Sequence, residues 1–240
     1  MNILALDTCF GACSVAVRCG MTGAPPREFG ERALLATGHA EALVPMIARV
    51  LGEAGLEARA LQRIAVTHGP GSFTGTRIAI AVARGLALAT GAAVVPFSSL
   101  MPIGRAAWRR IEGRSGRDAA VIVAMDARNR QNYVQIIGAD GRELTPPMLR
   151  DGDAAARLAP DRELHAIGTG AADVSAAAHR VGRRIEVIAA PTPACHQPDA
   201  AELLEAAAYA TPGAAAPAPL YLRPPDARPP ASPAVPRVAS

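Results

Sequence analysis

The 240-residue chain contains no lysine: its 25 basic residues are all arginine, set against 21 Asp and Glu. That excludes Schiff-base catalysis and the phosphate-loop lysine of P-loop enzymes. Aromatic residues are scarce at 3%, with one Trp, and no apolar run is long or uninterrupted enough to span a bilayer. Cys9, Cys13 and Cys19 lie together and Cys195 far downstream, a spacing that fits neither a paired C-x-x-C zinc site nor a disulfide framework. They read as small buried thiols in a reducing compartment. Met1 to Asp7 lacks the charged start of a signal peptide, so a cytoplasmic location with no membrane association is expected. Half the residues are hydrophobic and 19% charged. A chain of this length buries about 70% of its unfolded surface without needing metal or disulfides. The net charge of +4 permits contact with nucleic acid but does not demand it.

Ile3-Leu4-Ala5-Leu6 and Ala12 to Val17 read as two strands joined at Phe10-Gly11, with a third strand from Glu28 to Leu35. From His39 to Leu51 the apolar Leu43, Met46, Ile47, Val50 and Leu51 follow helical spacing, with Pro45 predicting a kink or a late start. A strand from Arg63 to His68, a glycine-rich turn, a helix from Thr74 to Thr90, a short strand at Ala93 to Pro96 and a helix carrying Trp108 follow, the last capped by Ser98 or Ser99. The second half repeats this outline, with strands at Val121–Asp126, Tyr133–Ile137, Leu164–Ile167 and Ile185–Ile188, a further strand after Gly141, and helices starting near Asp153, Asp173 and Asp199. Two β-β-β-α-β-α units predict an α/β protein of two related lobes with mixed sheets. The expected divisions are an N-terminal lobe over 1–104, a C-terminal lobe over 105–211 and a Pro/Ala-rich tail over 212–240, extended or disordered beyond Tyr221-Leu222-Arg223.

The glycine-rich turn Gly69-Pro70-Gly71-Ser72-Phe73-Thr74-Gly75-Thr76-Arg77 sits between a strand and a helix, where free N–H groups and the helix dipole favour phosphate. It lacks the Gly-Lys-Ser/Thr ending of a Walker A motif, and a tight structural turn explains it equally well. The helix after it, with Ile78, Ile80, Val82, Leu86 and Leu88 among alanines, has almost no polar face. Water is therefore excluded from both sides, and Ala81, Gly85 and Ala89 set small residues where another helix can approach; burial within its own protein is the alternative.

Asp7-Thr8 ends the first strand, where a nucleotide-binding two-lobed fold would present a carboxylate to metal and phosphate. His39 with Glu41 would need a second His at Leu43 to bind metal, so His39 reads as a helix-start residue. Asp126-Ala127-Arg128 reads as a compact turn with an internal ion pair. Arg105, Arg109, Arg110, Arg114 and Arg117 form a basic stretch, either a solvated face or an RNA-phosphate contact. No second phosphate-binding glycine loop with a nearby carboxylate stands out in the second half.

Leu4 to Cys9, Gly38-His39-Ala40-Glu41-Ala42-Leu43-Val44-Pro45, Gly69 to Arg77, Asp126-Ala127-Arg128 and Tyr221-Leu222-Arg223 occur in an order that resembles the TsaB (YeaZ) family, the bacterial partner subunits of the tRNA threonylcarbamoyladenosine machinery. The resemblance spans residues 1 to about 223. Cys9 stands where that family usually has Ser, Gly38 and Ala40 interrupt its Arg-His-Ser-Glu, and Thr76 replaces Leu. The resemblance implies a two-lobed actin-like, hexokinase-like (ASKHA) fold in a subunit that does not itself catalyse. Its TsaD-like partner would bind metal and ATP or ADP, there or at the interface between the subunits, leaving this chain no tightly bound cofactor. It implies a partner face on the first two helices, at His39, Leu43, Met46, Ile47, Val50, Phe73, Arg77, Ile78, Ala81, Val82 and Gly85, beside the loop glycines Gly69, Gly71 and Gly75 with Pro70 and Ser72, and a vestigial nucleotide position at Asp7 and Thr8. It further implies a TsaE-like ATPase in the complex, a homodimer when the chain is alone, contact with tRNA through the complex, and support for threonylcarbamoyl transfer to the adenosine beside the anticodon of tRNAs reading codons that begin with A. The competing classes are a small phosphotransferase or metallopeptidase-like enzyme of the same fold, and a plain RNA-binding module.

Overall fold

Leu4 and Leu6 of β1 (Ile3–Asp7) point to one face of a sheet, Ile3 and Ala5 to the other, and all four are fully buried. Burial on both faces explains why the run is apolar throughout and does not alternate with polar residues. With β2 (Ala12–Cys19), β3 (Arg27–Leu34), β4 (Arg63–Thr67) and β5 (Ala93–Phe97) it forms a mixed sheet of order β3-β2-β1-β4-β5. The first three strands are antiparallel, and β4 and β5 run parallel to β1. Pro96 is tolerated because β5 is an edge. A second sheet of β6 (Ala120–Asp126), β7 (Gln131–Gly138), β8 (Met148–Asp151), β9 (Leu164–Ile167) and β10 (Glu186–Val187) has the order β8-β7-β6-β9-β10, the same arrangement strand for strand. These statements come from a computed structural model that describes residues 1–20, 23–113, 115–116, 118–213 and 216–223.

Six helices complete five layers. Helices α1 (His39–Ala54) and α2 (Phe73–Thr90) cover the outer face of the first sheet, packing Leu43, Met46, Ile47, Val50, Ala79, Ile80 and Ala83 against Leu4, Leu6, Val15 and Val66. Helices α4 (Gly152–Ala156) and α5 (Ala171–Arg180) cover the outer face of the second, on Ile122, Ala124 and Ile136. Helices α3 (Leu100–Ile111) and α6 (Ala201–Tyr209) lie between the sheets in one core with Ile3, Ala5, Ala16, Ala65, Val121 and Val123. Their positions are exchanged: α3, which follows the first sheet in sequence, packs on β6 and β7, while α6, which follows the second, packs on β1, β2 and β4. A boundary between residues 104 and 105 therefore falls inside α3. The two-lobed α/β architecture with mixed sheets is otherwise as expected.

Helix α1 runs unbroken through Pro45 from His39, and both Pro45 and Glu41, the residue four positions earlier whose carbonyl loses its helical partner, are exposed. Ser72 caps α2 by accepting a hydrogen bond from Gly75 N at 2.9 Å. Ser98 accepts from Leu100 N at 3.1 Å, while the Ser99 hydroxyl donates to the Pro70 carbonyl and ties α3 to the glycine loop.

The segment assigned to the tail does not leave the body at residue 212. Residues 216–223 form an extended strap across the first lobe: Arg84 donates to the Pro217 carbonyl at 2.6 Å, His68 Nδ1 lies 3.1 Å from the Ala218 carbonyl, and Leu220 N donates to His68 O at 2.7 Å. Arg223 then reaches Ala127 O in the second lobe at 2.7 Å. The strap is held by one backbone pair and by the side chains of Arg84, His68 and Arg223, which proline and alanine composition does not reveal. The rest of the expected tail, 224–240, and Arg114 and Arg117 lie outside the described residues.

Candidate partner face and the closed strand end

At the C-terminal end of β1 the chain turns through Thr8 and Cys9, and the glycine loop folds down on that turn. Ser72 N donates to Cys9 O at 2.7 Å, and the Thr8 hydroxyl donates to Gly75 O at 2.6 Å. A Cβ at Gly71 would collide with the Cys9 carbonyl, and one at Gly75 with the Thr8 carbonyl. The loop is glycine-rich because backbone packs on backbone there. Ser72 Oγ accepts from Gly75 N and Ser72 O from Thr76 N, so these two N–H groups, with that of Ser72, are engaged within the protein.

Asp7 is consequently sealed in. Its residue exposure is 0%, its Oδ1 accepts from the Thr67 hydroxyl at 2.5 Å, and its Oδ2 has no partner. Burial is the main cause pushing its carboxyl up to about 6, against hydrogen bonds from Thr67 and Cys9 that pull it down. Burial likewise pushes up the Cys9 thiol, and raises Cys13 to about 12, so both are inert thiols. Asp7 and Thr8 therefore do not present an open carboxylate and hydroxyl to a nucleotide, because the glycine loop occupies the space in front of them.

The second lobe holds a counterpart that the sequence reading missed. Gly168-Thr169-Gly170 follows β9 as Gly69-Pro70-Gly71 follows β4, and Gly69 and Gly168 share a φ of +112°. Asp126 N donates to the Thr169 hydroxyl at 2.9 Å, and Asn132 fills the space beside Gly170 while donating to Asp173 Oδ2 at 3.0 Å. The recurring Gly-x-Gly after a short apolar strand was the available signal; proline in one copy and threonine in the other disguised it. The Asp126 turn holds no ion pair among the described residues: its carboxylate accepts from the Arg128 backbone N at 2.8 Å.

On the outer surface the expected partner residues divide. Leu43, Met46, Ile47 and Val50 are at most 5% exposed and belong to the first lobe's own core, so they offer a partner no surface. The amphipathic stripe that marked them as contact residues is the stripe that covers the sheet. Ile78 and Val82 are half-buried against the same core. His39 is half-buried with Nε2 3.0 Å from Phe10 O, which fastens α1 to the first hairpin. Phe73, Arg77, Ala81, Gly85 and Leu88 are exposed, Leu88 at 89%, and form a stripe along α2; Val44 of α1 is exposed as well. The basic stretch on α3 is no free strip: Arg105 pairs with Glu205 at 2.8 Å and Arg109 with Glu202. A cleft of about 710 Å³ lies beside Arg105, lined also by Phe97, Met101 and Arg142, but Arg142 is paired with Asp140.

The family model described as "TsaD: tRNA N6-adenosine threonylcarbamoyltransferase" matches residues 33–214. The structure of YeaZ from Pseudomonas aeruginosa superposes with a TM-score of 0.72 at 30% identity, over 92% of this chain and 99% of that one. The chain belongs to the TsaB (YeaZ) family. The Escherichia coli tRNA threonylcarbamoyladenosine biosynthesis protein TsaB is 36% identical over 138 residues, 55% of this chain and 53% of that protein, and the Haemophilus influenzae TsaB is 33% identical over 133 residues, 55% and 52%. The aligned region thus spans about half the length of these two relatives. Against this TsaB-family background, the described residues contain no group of three or more His, Cys, Asp or Glu able to hold a metal, and no helix long and apolar enough to cross a membrane.

Proposed function

We propose that this chain is the non-catalytic partner subunit of a TsaD-containing complex that transfers a threonylcarbamoyl group to the adenosine adjacent to the anticodon of tRNAs reading codons that begin with A. The observation carrying this reading is the pairing of a sealed Asp7 with an open, small-residue stripe on α2. The position that would serve a nucleotide and its metal is filled by the protein's own loop, while the helix beside that loop exposes Ala81, Gly85 and Leu88. Nucleotide and metal then belong to the TsaD-like subunit or to the boundary between the two, and tRNA is met through the complex, with a TsaE-like ATPase as a further member. In the absence of TsaD the same stripe serves a homodimer. The complex is placed in the cytoplasm, where its tRNA substrate is.

A phosphotransferase would need Asp7 open to solvent, and a metallopeptidase would need a donor set that the described residues lack. Reconstitution tests the proposal. The chain alone is expected neither to hydrolyse ATP nor to modify tRNA, and adding it to a TsaD homologue from the same genome is expected to switch on threonylcarbamoyl transfer. Turnover by the isolated chain that is lost on Asp7→Ala, or full activity of the other components without it, would overturn the assignment.

A further inference from the structure

We propose that Arg77 is a guanidinium fork, laid over the Phe73 ring and flanked by the strap residue Tyr221, that receives a carboxylate of the TsaD-like subunit; this rests on the partner-subunit reading above. Arg77 lies one turn after Phe73 on the exposed side of α2, and its guanidinium carbon sits 3.3 Å from the Phe73 ring centroid and 5.4 Å from that of Tyr221. The two rings stack at 5.5 Å and 25° and remain half exposed, at 55% and 46%. Stacking of this kind fixes the plane of a guanidinium while leaving its N–H edge free.

That edge is unused. Among the described residues no hydrogen bond or ion pair involves the Arg77 guanidinium, although its neighbours are committed: Arg84 donates to the Pro217 carbonyl and Arg49 to both oxygens of Glu31. A planar fork held in place and unpaired is complementary to a carboxylate, which accepts two parallel N–H bonds. The setting favours a protein carboxylate over a nucleic-acid phosphate. Helix α2 contains no acidic residue, and beyond Arg77 its exposed stripe is Ala81, Gly85 and Leu88, a surface suited to a helix approaching closely. A phosphate backbone is met by several cations in a row, whereas Arg105 and Arg109 are paired within the chain.

The strap thereby has a function that its composition conceals, since it brings Tyr221 across the first lobe to stack on Phe73 and flank the guanidinium that Phe73 carries. The test is the dissociation constant between the full chain and the TsaD homologue from the same genome, by calorimetry, for Arg77→Gln, Arg77→Lys, Tyr221→Ala and Tyr221→Phe. Arg77→Gln is expected to weaken binding roughly tenfold or more. Arg77→Lys should fall nearly as far, because it keeps the charge and loses the fork. Tyr221→Ala should weaken binding several-fold and Tyr221→Phe leave it unchanged. Thermal melts monitor folding, which these exposed positions should leave intact. Arg77→Gln binding within about twofold of wild type, or full rescue by Lys, overturns the fork. Unchanged subunit affinity with weakened tRNA binding by the assembled complex would identify a phosphate ligand and also overturn it. Failure of the wild-type chain to bind TsaD would instead overturn the partner-subunit reading itself.

Discussion

Asp7 is a carboxylic acid whose environment opposes its charge, and the consequence is a stability that depends on pH with an unusual sign. An unfolded aspartate titrates at 3.8, while burial pushes Asp7 to about 6. Between those values the folded chain holds a proton that the unfolded chain has lost, so this group's contribution is fully present below about pH 4 and is lost as the pH rises through about 6. The difference of about two pKa units corresponds to about 3 kcal/mol. Asp7→Asn removes the titration, so its stability relative to wild type should improve by about 2 kcal/mol, the part of that difference that falls between about pH 4.5 and about pH 7. Urea unfolding at the two pH values checks it, and parallel profiles would show that the carboxyl is solvated. Gly75 has the opposite character: Gly75→Ala drives a methyl group into the Thr8 carbonyl, backbone that cannot swing aside. A loss of about 2 kcal/mol or more in unfolding free energy is expected, and a neutral result would mean that the loop can lift from the β1 turn.

At the scale of elements, α1 and α2 look alike in sequence and play different parts. Both are apolar stripes on the first sheet, and the sequence showed where they start and stop to within a few residues, because helical spacing and glycine stops are local signals. Which stripe faces inward was not local information. Leu43 and Met46 meet Leu4 and Val15 only after the sheet has assembled, so the periodicity that identified a buried face could not say whether the cover was the protein's own sheet or another chain. For α2 the apolar residues exceed one stripe, and Ala81 and Gly85 lie outside the protein's own core, exposed. The contrast is measurable. Leu43→Ala should destabilise the isolated chain by about 2–5 kcal/mol, as expected for a buried leucine. Ala81→Arg and Gly85→Arg should keep a wild-type melting curve while abolishing association with TsaD, because a long charged side chain replaces a close helix contact. Gly85 has open space around it, so Gly85→Ala should even stabilise the free chain by about 0.5–1 kcal/mol. Arginine variants that unfold, or that still bind, would remove α2 from the interface.

The whole molecule is a duplicated unit whose halves have exchanged a helix, and only the first of these facts could be read from the sequence. The repeat of three strands, helix, strand, helix survives as pattern, down to the paired turns at Gly69 and Gly168. The exchange leaves no such trace, since α3 and α6 each read as the last helix of its own half while packing on the other half's sheet. The consequence is that neither lobe owns a complete core. A fragment of residues 1–113 would keep the outer layer of α1 and α2 but leave Ile3, Ala5, Ala16 and Ala65 facing water where Leu203, Leu204 and Ala207 of α6 now cover them. Its α3 would in turn present Leu100, Ile103 and Trp108 with no second sheet to receive them. Exposing two apolar faces of this kind costs roughly 1.5–3 kcal/mol for each large side chain, several times over, against the 5–15 kcal/mol by which a domain is ordinarily stable. The fragment is therefore expected to bind a hydrophobic dye and to melt without a cooperative transition, even though it carries the whole first sheet and the entire α2 stripe. Adding a second fragment that begins at residue 118 should restore a single cooperative transition, because each piece returns the helix that the other lacks. A fragment of residues 1–113 that melts cooperatively alone, at the temperature of the full chain, would show that the exchanged helices are not what holds the two lobes together.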